Sequence, residues 1–229
     1  MNSADRIDHV LVVGGGTAGW LTAAILATKG QQGNGPGKVS LIEAPDIATI
    51  GVGEGTWPSM RTTLHYIGIK ESDFLKSCQA SLKQGSKFVG WKDGSAGDFY
   101  YHPYDLPQGF YDANLAQYWV DTAPKQSFSK LVCAQEHLCE RHLSPKLANS
   151  AEYSGVANYG YHLDAGLFAN FIREHATKVL GVQLISDKVT QVISDEQGDI
   201  AAVDTVESGK ISADFFVDCS GFRSLLLGS

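Results

Sequence analysis

The chain has 229 residues, 43% of them hydrophobic, which is enough apolar material for one large domain or for a domain with an insertion. The formal net charge at pH 7 is -7, and no basic block stands out. This charge argues against a nucleic acid or an anionic membrane as partner. The four cysteines form no Cys-x-x-Cys pair and no zinc-like cluster with histidine, so we expect no metal site.

The beginning of the chain is polar and leads directly into an apolar strand pattern, so no signal peptide is predicted. No apolar run reaches the roughly 20 residues that a membrane-spanning helix needs. We therefore expect a cytoplasmic protein without a membrane segment.

A βαβ unit is predicted at the start of the chain. Residues 9–13 are short, β-branched and apolar, which is typical of a buried parallel strand. Apolar residues at helical spacing predict a helix over 17–29, and a second strand is predicted over 39–42, closed by Glu43.

The turn after the first strand has the spacing of a dinucleotide-binding loop. Gly14 permits the tight turn, Gly16 lets the backbone approach a pyrophosphate, and Gly19 lets the helix pack on the strand. The N-terminus of the following helix offers unpaired N–H groups to phosphates. Glu43 stands where a carboxylate accepts hydrogen bonds from an adenosine ribose, so the sequence predicts a bound nucleotide.

From residue 58 to about 150 the chain is dense in tryptophan, tyrosine and histidine. The patterns predict helices over 58–67, 71–79, 114–121 and 127–141. They also predict a strand over 87–91 with a partner over 98–102. We interpret this region as an insertion that adds a substrate side to the nucleotide scaffold.

The last third returns to the nucleotide-binding pattern. Asp164 is predicted to cap an amphipathic helix that reaches about residue 180. Strands are predicted over 182–186, 189–194, 200–206 and 213–218, with a hairpin turn over 195–199. The last strand ends at Asp218, and this segment resembles the second flavin-contacting segment of FAD monooxygenases, which favours FAD over NAD.

Four strings of residues resemble flavin-dependent tryptophan halogenases. They are Gly14–Trp20, the G-V-G-E-G-T-W-P string at 51–58, the Y-H-L-D string at 161–164 and the F-V-D-C-S-G-F-R string at 216–223. The resemblance spans essentially the whole chain. It implies an α/β fold with a Rossmann-like FAD-binding domain of the flavin monooxygenase type and a mixed α+β insertion. The division would be a βαβ FAD-binding unit at 1–57, the insertion at 58–150 and the return to the FAD-binding domain at 151–229.

The resemblance also implies a reaction and partners. FAD, delivered in its reduced form by a separate NAD(P)H-dependent flavin reductase, would use O₂ and chloride or bromide to give hypohalous acid. The family's essential lysine, matched here by Lys83, would direct the halogen onto an electron-rich arene such as indole or tryptophan, either as a haloamine or as a hydrogen-bond donor. A homodimer would follow only from the family.

Further site residues are implied by position within the family's segments. The positions that contact or cover FAD are Gly14, Gly15, Gly16, Thr17, Ala18, Gly19, Glu43, Ala44, Gly51, Glu54, Val189 and Asp218. His102 and Tyr104 match the residues around the indole, although Tyr104 replaces a phenylalanine and so leaves the arene open. Lys87 and His162 are interpreted as structural.

The family's G-W-x-W-x-I-P signature is absent, because none of the four tryptophans pair. We therefore expect the amino-terminal portion of a halogenase, truncated at the C-terminus. Two alternatives remain: an FAD monooxygenase that hydroxylates an aromatic compound, and a non-catalytic FAD-binding fragment.

Overall fold

The computed structural model describes residues 7–47, 54–122 and 125–228. The helices within these ranges are α1 Thr17–Gln31, α2 Ser59–Tyr66, α3 Glu71–Ser77, α4 Leu115–Thr122, α5 Phe128–Val132, α6 Gln135–Glu140 and α7 Ala165–Lys178. The strands are β1 His9–Val13, β2 Lys38–Glu43, β3 Glu54–Gly55, β4 Ser81–Lys83, β5 Gly85–Val89, β6 Phe99–Pro103, β7 Gly160–Leu163, β8 Gln183–Ser186, β9 Val189–Ser194, β10 Ile200–Thr205, β11 Lys210–Ser212 and β12 Phe215–Asp218.

A parallel sheet of order β12-β1-β2-β8 forms the centre of the fold. Its two central strands, β1 and β2, are buried on both faces, as continuous apolar runs predict. Val12 and Leu41 point into the core that α1 and α7 cover. Leu11 and Ile42 point the other way and pack with Val203 of the antiparallel sheet β11-β10-β9. The predicted α/β class is confirmed, and the carboxyl ends of the four parallel strands meet at one edge.

Helix α7 begins at its predicted cap, since the Asp164 side chain accepts a hydrogen bond of 2.8 Å from the Leu167 N–H. Phe168 and Ile172 are fully buried on the side of the helix that joins the main core. The helix ends at Lys178, close to the predicted end near residue 180. Beyond it, Val179 is 62% exposed, whereas Leu180 is buried in the main core.

A second, antiparallel sheet of order β3-β7-β4 lies outside the parallel sheet. In its central strand, His162 stands opposite Gly55 on one side and Ser81 on the other. The side chains of β7 alternate: Tyr161 and Leu163 are buried, whereas His162 is exposed. The open face of this sheet therefore carries His162, and the covered face carries the tyrosine.

The observed helices and strands differ from the prediction in two respects. The helix predicted over 127–141 is wrong, because Cys133 takes an extended conformation (φ -143°, ψ 135°) and separates α5 from α6. Strands β3, β4, β7 and β11 were not predicted, since two to four residues are too few to show a periodic pattern. The boundaries at 57 and 150 stay predictions.

A buried carboxylate ties the insertion to the sheet. Glu71 is 1% exposed, and its oxygens accept hydrogen bonds from the hydroxyls of Tyr159 and Tyr161, at 2.6 and 2.8 Å, and from the Tyr153 N–H at 2.6 Å. The ammonium of Lys146 lies 3.0 Å from the same carboxylate. Every partner comes from the segment that leads into β7, so Glu71 fixes the position of that strand.

Replacing this carboxylate tests its contribution to stability. Glu71→Ala leaves Lys146 and two tyrosine hydroxyls without their partner, so we expect it to lower the free energy of unfolding by about 3 kcal/mol. Urea unfolding measures this change. The matched control is Glu174→Ala, which removes an exposed i,i+4 pair with Lys178 and should cost less than about 0.5 kcal/mol. Equal losses in the two variants would contradict the assignment.

Acidification provides a second test of the same group. Burial raises the pKa of Glu71, but the hydrogen bonds from Tyr159, Tyr153, Lys146 and Tyr161 outweigh it and hold the pKa below its ordinary value of 4.5. A lowered pKa adds stability above pH 4.5, and this stability is lost as the pH falls through the lowered value. The melting temperature should therefore fall more steeply below pH 4.5 in the native chain than in Glu71→Gln.

Candidate active site

The glycine loop is held between the ends of two parallel strands. The Gly14 N–H donates to the Ile42 carbonyl of β2 at 2.9 Å, and the Cys219 N–H donates to the Val13 carbonyl at 2.8 Å. Gly14 has a φ of +118°, and a Cβ placed on it would lie 2.2 Å from the Cys219 carbonyl oxygen. No side chain can be accommodated there, so this position requires glycine.

The next two glycines have different surroundings. A Cβ on Gly19 would lie 1.9 Å from the Gly14 carbonyl oxygen, because α1 packs closely against the loop. A Cβ on Gly16 would meet nothing within 4 Å. Gly16 is also the N-cap of α1, where no described side chain caps the helix and no acidic residue lies in the first turn. The free N–H groups of Thr17 and Ala18 thus border open space that can receive a phosphate.

Glu43 ends β2 beside this loop. A Cβ on Gly15 would lie 2.4 Å from the Glu43 side chain, so Gly15 gives the carboxylate room to cross the loop. Burial raises the pKa of Glu43, and the charge of Arg173, whose Nε is 3.7 Å from Oε2, partly offsets this effect. Among the described residues, buried Oε2 has no hydrogen-bond donor. An orphaned acceptor at this place suits a ribose hydroxyl, so the loop and Glu43 together fit a dinucleotide.

The other predicted FAD contacts are less directly supported. The Asp218 carboxylate accepts hydrogen bonds from Ser220 and from the N–H groups of Leu226 and Leu227, so in this structure it organises its own loop. Ala44 follows Glu43 at the strand edge, Glu54 begins β3 and Val189 begins β9. Gly51 lies outside the described residues. The predicted contacts at these positions stay predictions.

Lys83 is the last residue of β4, where it pairs with Gly160 of β7. It is half-buried, and its Nζ lies 5.7 Å from the centroid of the Tyr104 ring. No described carboxylate lies within ion-pair distance of this ammonium, whereas Lys87 forms an ion pair of 2.8 Å with Glu140. The two lysines therefore differ: Lys83 keeps its donors free for a ligand, and Lys87 is paired.

An aromatic group lies next to Lys83. The Trp57 ring is 5.8 Å from the His102 ring and 5.5 Å from the Tyr104 ring, measured between centroids. Trp57 is 60% exposed, so the group presents ring faces to the outside. Trp57 was not predicted as a site residue, although an aromatic residue in the glycine-rich string at 51–58 is a signal that the sequence offers. Faces of this kind suit stacking on an indole.

The backbone at Tyr104 is held by hydrogen bonds to the Gln135 side chain. The fully buried Gln135 accepts hydrogen bonds of 2.6 Å from the N–H groups of Tyr104 and Asp105. The Tyr104 hydroxyl donates to the Thr56 carbonyl at 2.8 Å. Tyr104 is thus tied both to α6 and to the segment that carries Trp57, which holds the aromatic group together.

A cavity of about 530 Å³ opens beside the lysine. Lys83, His162, Tyr101 and His142 are among the residues that line it. The pKa of His162 is lowered below its ordinary value of 6.5. Partial loss of hydration is the larger cause, and the positive charge of Lys83 is the smaller one. His162 is predicted to be a structural histidine, but in the structure it is exposed on the open face of the sheet β3-β7-β4, here called the lysine face because it also carries Lys83.

Neither a metal site nor a membrane-spanning helix is found in the part of the chain that the structure describes. No group of three or more His, Cys, Asp or Glu side chains in the described ranges is placed to hold a metal ion. In the same ranges, no helix is both long and apolar enough to cross a membrane. The described side chains therefore offer an ammonium, imidazoles and aromatic faces to a ligand.

Comparison with known sequences assigns the family. The sequence model of the family described as tryptophan halogenase matches residues 9–229. Tryptophan 7-halogenase RebH of Lentzea aerocolonigenes is 36% identical over 97% of this chain, and tryptophan 6-halogenase ThaL of Streptomyces albogriseolus is 33% identical over 97%. The chain spans only 44% of the length of each of these relatives.

Solved structures agree with the sequence comparison. A tryptophan halogenase from Shewanella frigidimarina matches with a TM-score of 0.89 and 46% identity, over 98% of this chain and 44% of that one. Tryptophan 6-halogenase SttH from Streptomyces toxytricini matches with a TM-score of 0.85 and 34% identity, over 96% of this chain and 43% of that one. The glycine loop, the lysine strand and these matches lead to one conclusion: the chain belongs to the tryptophan halogenase family.

Proposed function

We propose that this chain provides the FAD-binding half and the reactive lysine of a flavin-dependent halogenase. The observation that carries the proposal is the ammonium of Lys83, which has no carboxylate partner among the described residues and lies 5.7 Å from the Tyr104 ring. When bound in its reduced form, FAD would supply, together with O₂, the oxidant that converts chloride or bromide into hypohalous acid. A separate NAD(P)H-dependent flavin reductase would deliver the reduced cofactor.

The glycine loop and Glu43 would hold the dinucleotide. The N–H groups at the start of α1 would bind the pyrophosphate, and Oε2 of Glu43 would accept a ribose hydroxyl. Gly14 and Gly19 pack closely against backbone oxygens, whereas a Cβ on Gly16 would meet nothing within 4 Å. The open space at Gly16 is therefore the approach that the fold leaves for the phosphates.

Lys83 would act on the hypohalous acid. Its ammonium would donate a hydrogen bond to the oxygen of HOX, which draws the electrons of the O–X bond toward oxygen and makes the halogen more electrophilic. The arene attacks the halogen, and the oxygen leaves as water after taking up one proton. The ring loses its proton to restore aromaticity, so ArH and HOX give ArX and H₂O.

The arene is proposed to be an indole or a related electron-rich ring. Trp57, His102 and Tyr104 offer faces on which such a ring can stack. The hydroxyl of Tyr104 is already bonded to the Thr56 carbonyl, so it adds a fixed polar edge to this wall. The proposed arene is therefore not limited to free tryptophan.

A product assay tests the proposal. The chain is incubated with a flavin reductase, NADH, FAD, bromide and indole, and products are identified by mass spectrometry. Bromoindole is the expected result. Hydroxyindole in its place would support the aromatic monooxygenase instead.

One observation favours a third candidate, a non-catalytic FAD-binding fragment. Helix α4 buries none of its residues, and Tyr118 and Val120 are 74% and 60% exposed. Apolar exposure on this scale marks a face that another surface covers. Binding of FAD without either product would support this candidate and contradict halogenation by the chain alone.

Two glycine variants separate cofactor binding from folding. Gly16→Ala places a methyl group in open space, so we expect a loss of stability below about 1 kcal/mol. The same methyl group blocks the phosphate approach, and FAD affinity should fall by at least about tenfold, or 1.4 kcal/mol. Gly19→Ala meets the Gly14 carbonyl oxygen and should cost more than about 2 kcal/mol of stability. Thermal unfolding and quenching of flavin fluorescence measure both effects, and unchanged FAD affinity in Gly16→Ala would contradict the loop assignment.

Glu43→Gln tests the ribose contact. Folding raises the pKa of Glu43 above its ordinary value of 4.5. In the absence of FAD, the folded chain therefore loses stability as the pH rises from 4.5 through the raised pKa. A neutral side chain should therefore leave the melting temperature at pH 7 unchanged or higher. FAD affinity should fall by about tenfold, as expected for the loss of a hydrogen bond to a charged group. Glu174→Gln, which changes an exposed carboxylate of α7, serves as the control. The account fails if both variants bind FAD equally.

A pair of lysine variants tests the reactive amine. Lys83→Ala should reduce bromoindole formation by about 100-fold or more, in the range of general acid catalysis, while FAD still binds. Lys87→Ala removes a paired lysine four positions along the chain and should keep most of the activity. Full halogenation by Lys83→Ala would refute the assignment of the amine.

A further inference from the structure

The open face of the sheet β3-β7-β4 brings a histidine to the proposed reactive lysine. His162 stands directly opposite Ser81 in the β7–β4 pair, and Lys83 lies two residues beyond Ser81. Side chains two residues apart on a strand share a face, so the imidazole and the lysine stem are diagonal neighbours. On the other side of β7, His162 stands opposite Gly55.

Gly55 leaves open a space that the ends of both side chains border. A Cβ placed on Gly55 would lie 2.9 Å from the Lys83 Nζ. The same point would lie 3.4 Å from both Nδ1 and Cε1 of His162. Ammonium and imidazole therefore both lie near one backbone position that has no side chain, and the Tyr104 ring centroid is 5.7 Å from the amine.

We propose that His162 is a positioning residue for Lys83: its imidazole shares the space above Gly55 with the ammonium and holds the amine toward the aromatic group. This proposal rests on the role of Lys83 proposed above. A neutral imidazole offers a ring nitrogen to an N–H donor and adds no charge that would repel the ammonium. The lowered pKa of His162 keeps the ring in this neutral form at pH 7.

The other titratable groups around the imidazole come from several elements. They are Glu54 on β3, Lys87 on β5, Tyr101 on β6, and Cys139 and His142 in and after α6. Glu54 stands opposite Leu163, on the other face of the strand pair. Lys87 is neutralised by Glu140. Lys83 is therefore the charge that acts on the His162 ring.

Histidine NMR titration of the intact chain tests this arrangement. Lys83→Met keeps the aliphatic stem and removes the positive charge that lowers the pKa of His162, so this pKa should rise. Lys87→Met is the matched control and should leave the pKa of His162 unchanged. An unmoved pKa in Lys83→Met, or equal shifts in both variants, would overturn the proposal.

Amine labelling gives a second, independent readout. Trace acetylation followed by peptide mass spectrometry gives the ratio of label at Lys83 to label at Lys87 within one sample. His162→Ala should raise this ratio at least twofold, because the amine loses the neighbour that holds it, and His162→Asn should restore the native ratio through its amide oxygen. An unchanged ratio in His162→Ala would overturn the positioning role. Neither readout needs turnover, so failure here is distinct from halogenation by Lys83→Ala, which refutes the proposed function.

Discussion

The pairing of β7 with two other strands is the constraint on which the lysine face depends. Four residues, Gly160–Leu163, join β3 on one side and β4 on the other. The buried Tyr161, bonded to Glu71, decides which face of β7 is covered. If the pairing of β7 slipped by one residue, His162 would turn to the covered face and away from Lys83. By holding Tyr161 on the covered face, Glu71 stabilises the native register of β7.

The same strand arrangement links the two halves of the proposed site. The parallel sheet ends at one edge with the glycine loop and Glu43, and the chain next appears in the described residues at β3. Trp57 lies two residues after the end of β3, and its ring centroid is 5.5 Å from that of Tyr104. The proposed nucleotide edge and the aromatic group are therefore connected through a short stretch of chain, and backbone atoms pack closely around Gly14 in the glycine loop.

The nucleotide half could be predicted from sequence because its signals are local. A buried strand, a glycine loop and a capped helix each leave a periodic or positional pattern, and Asp164 caps α7 as expected. The lysine face could not be derived this way. β4 and β7 are too short to show alternation, and their meeting joins residues about 80 positions apart, which only tertiary pairing decides. Family resemblance indicated Lys83, but the positions of Trp57 and His162 needed the structure.

The most direct test of this account is a crystal structure of the chain with FAD. The account predicts the dinucleotide along the loop from Gly14 to Gly19, with its ribose on Glu43. It also predicts the Lys83 ammonium above Gly55, facing Tyr104. A lysine that points into bulk solvent away from the aromatic group, or a cofactor bound elsewhere, would contradict it.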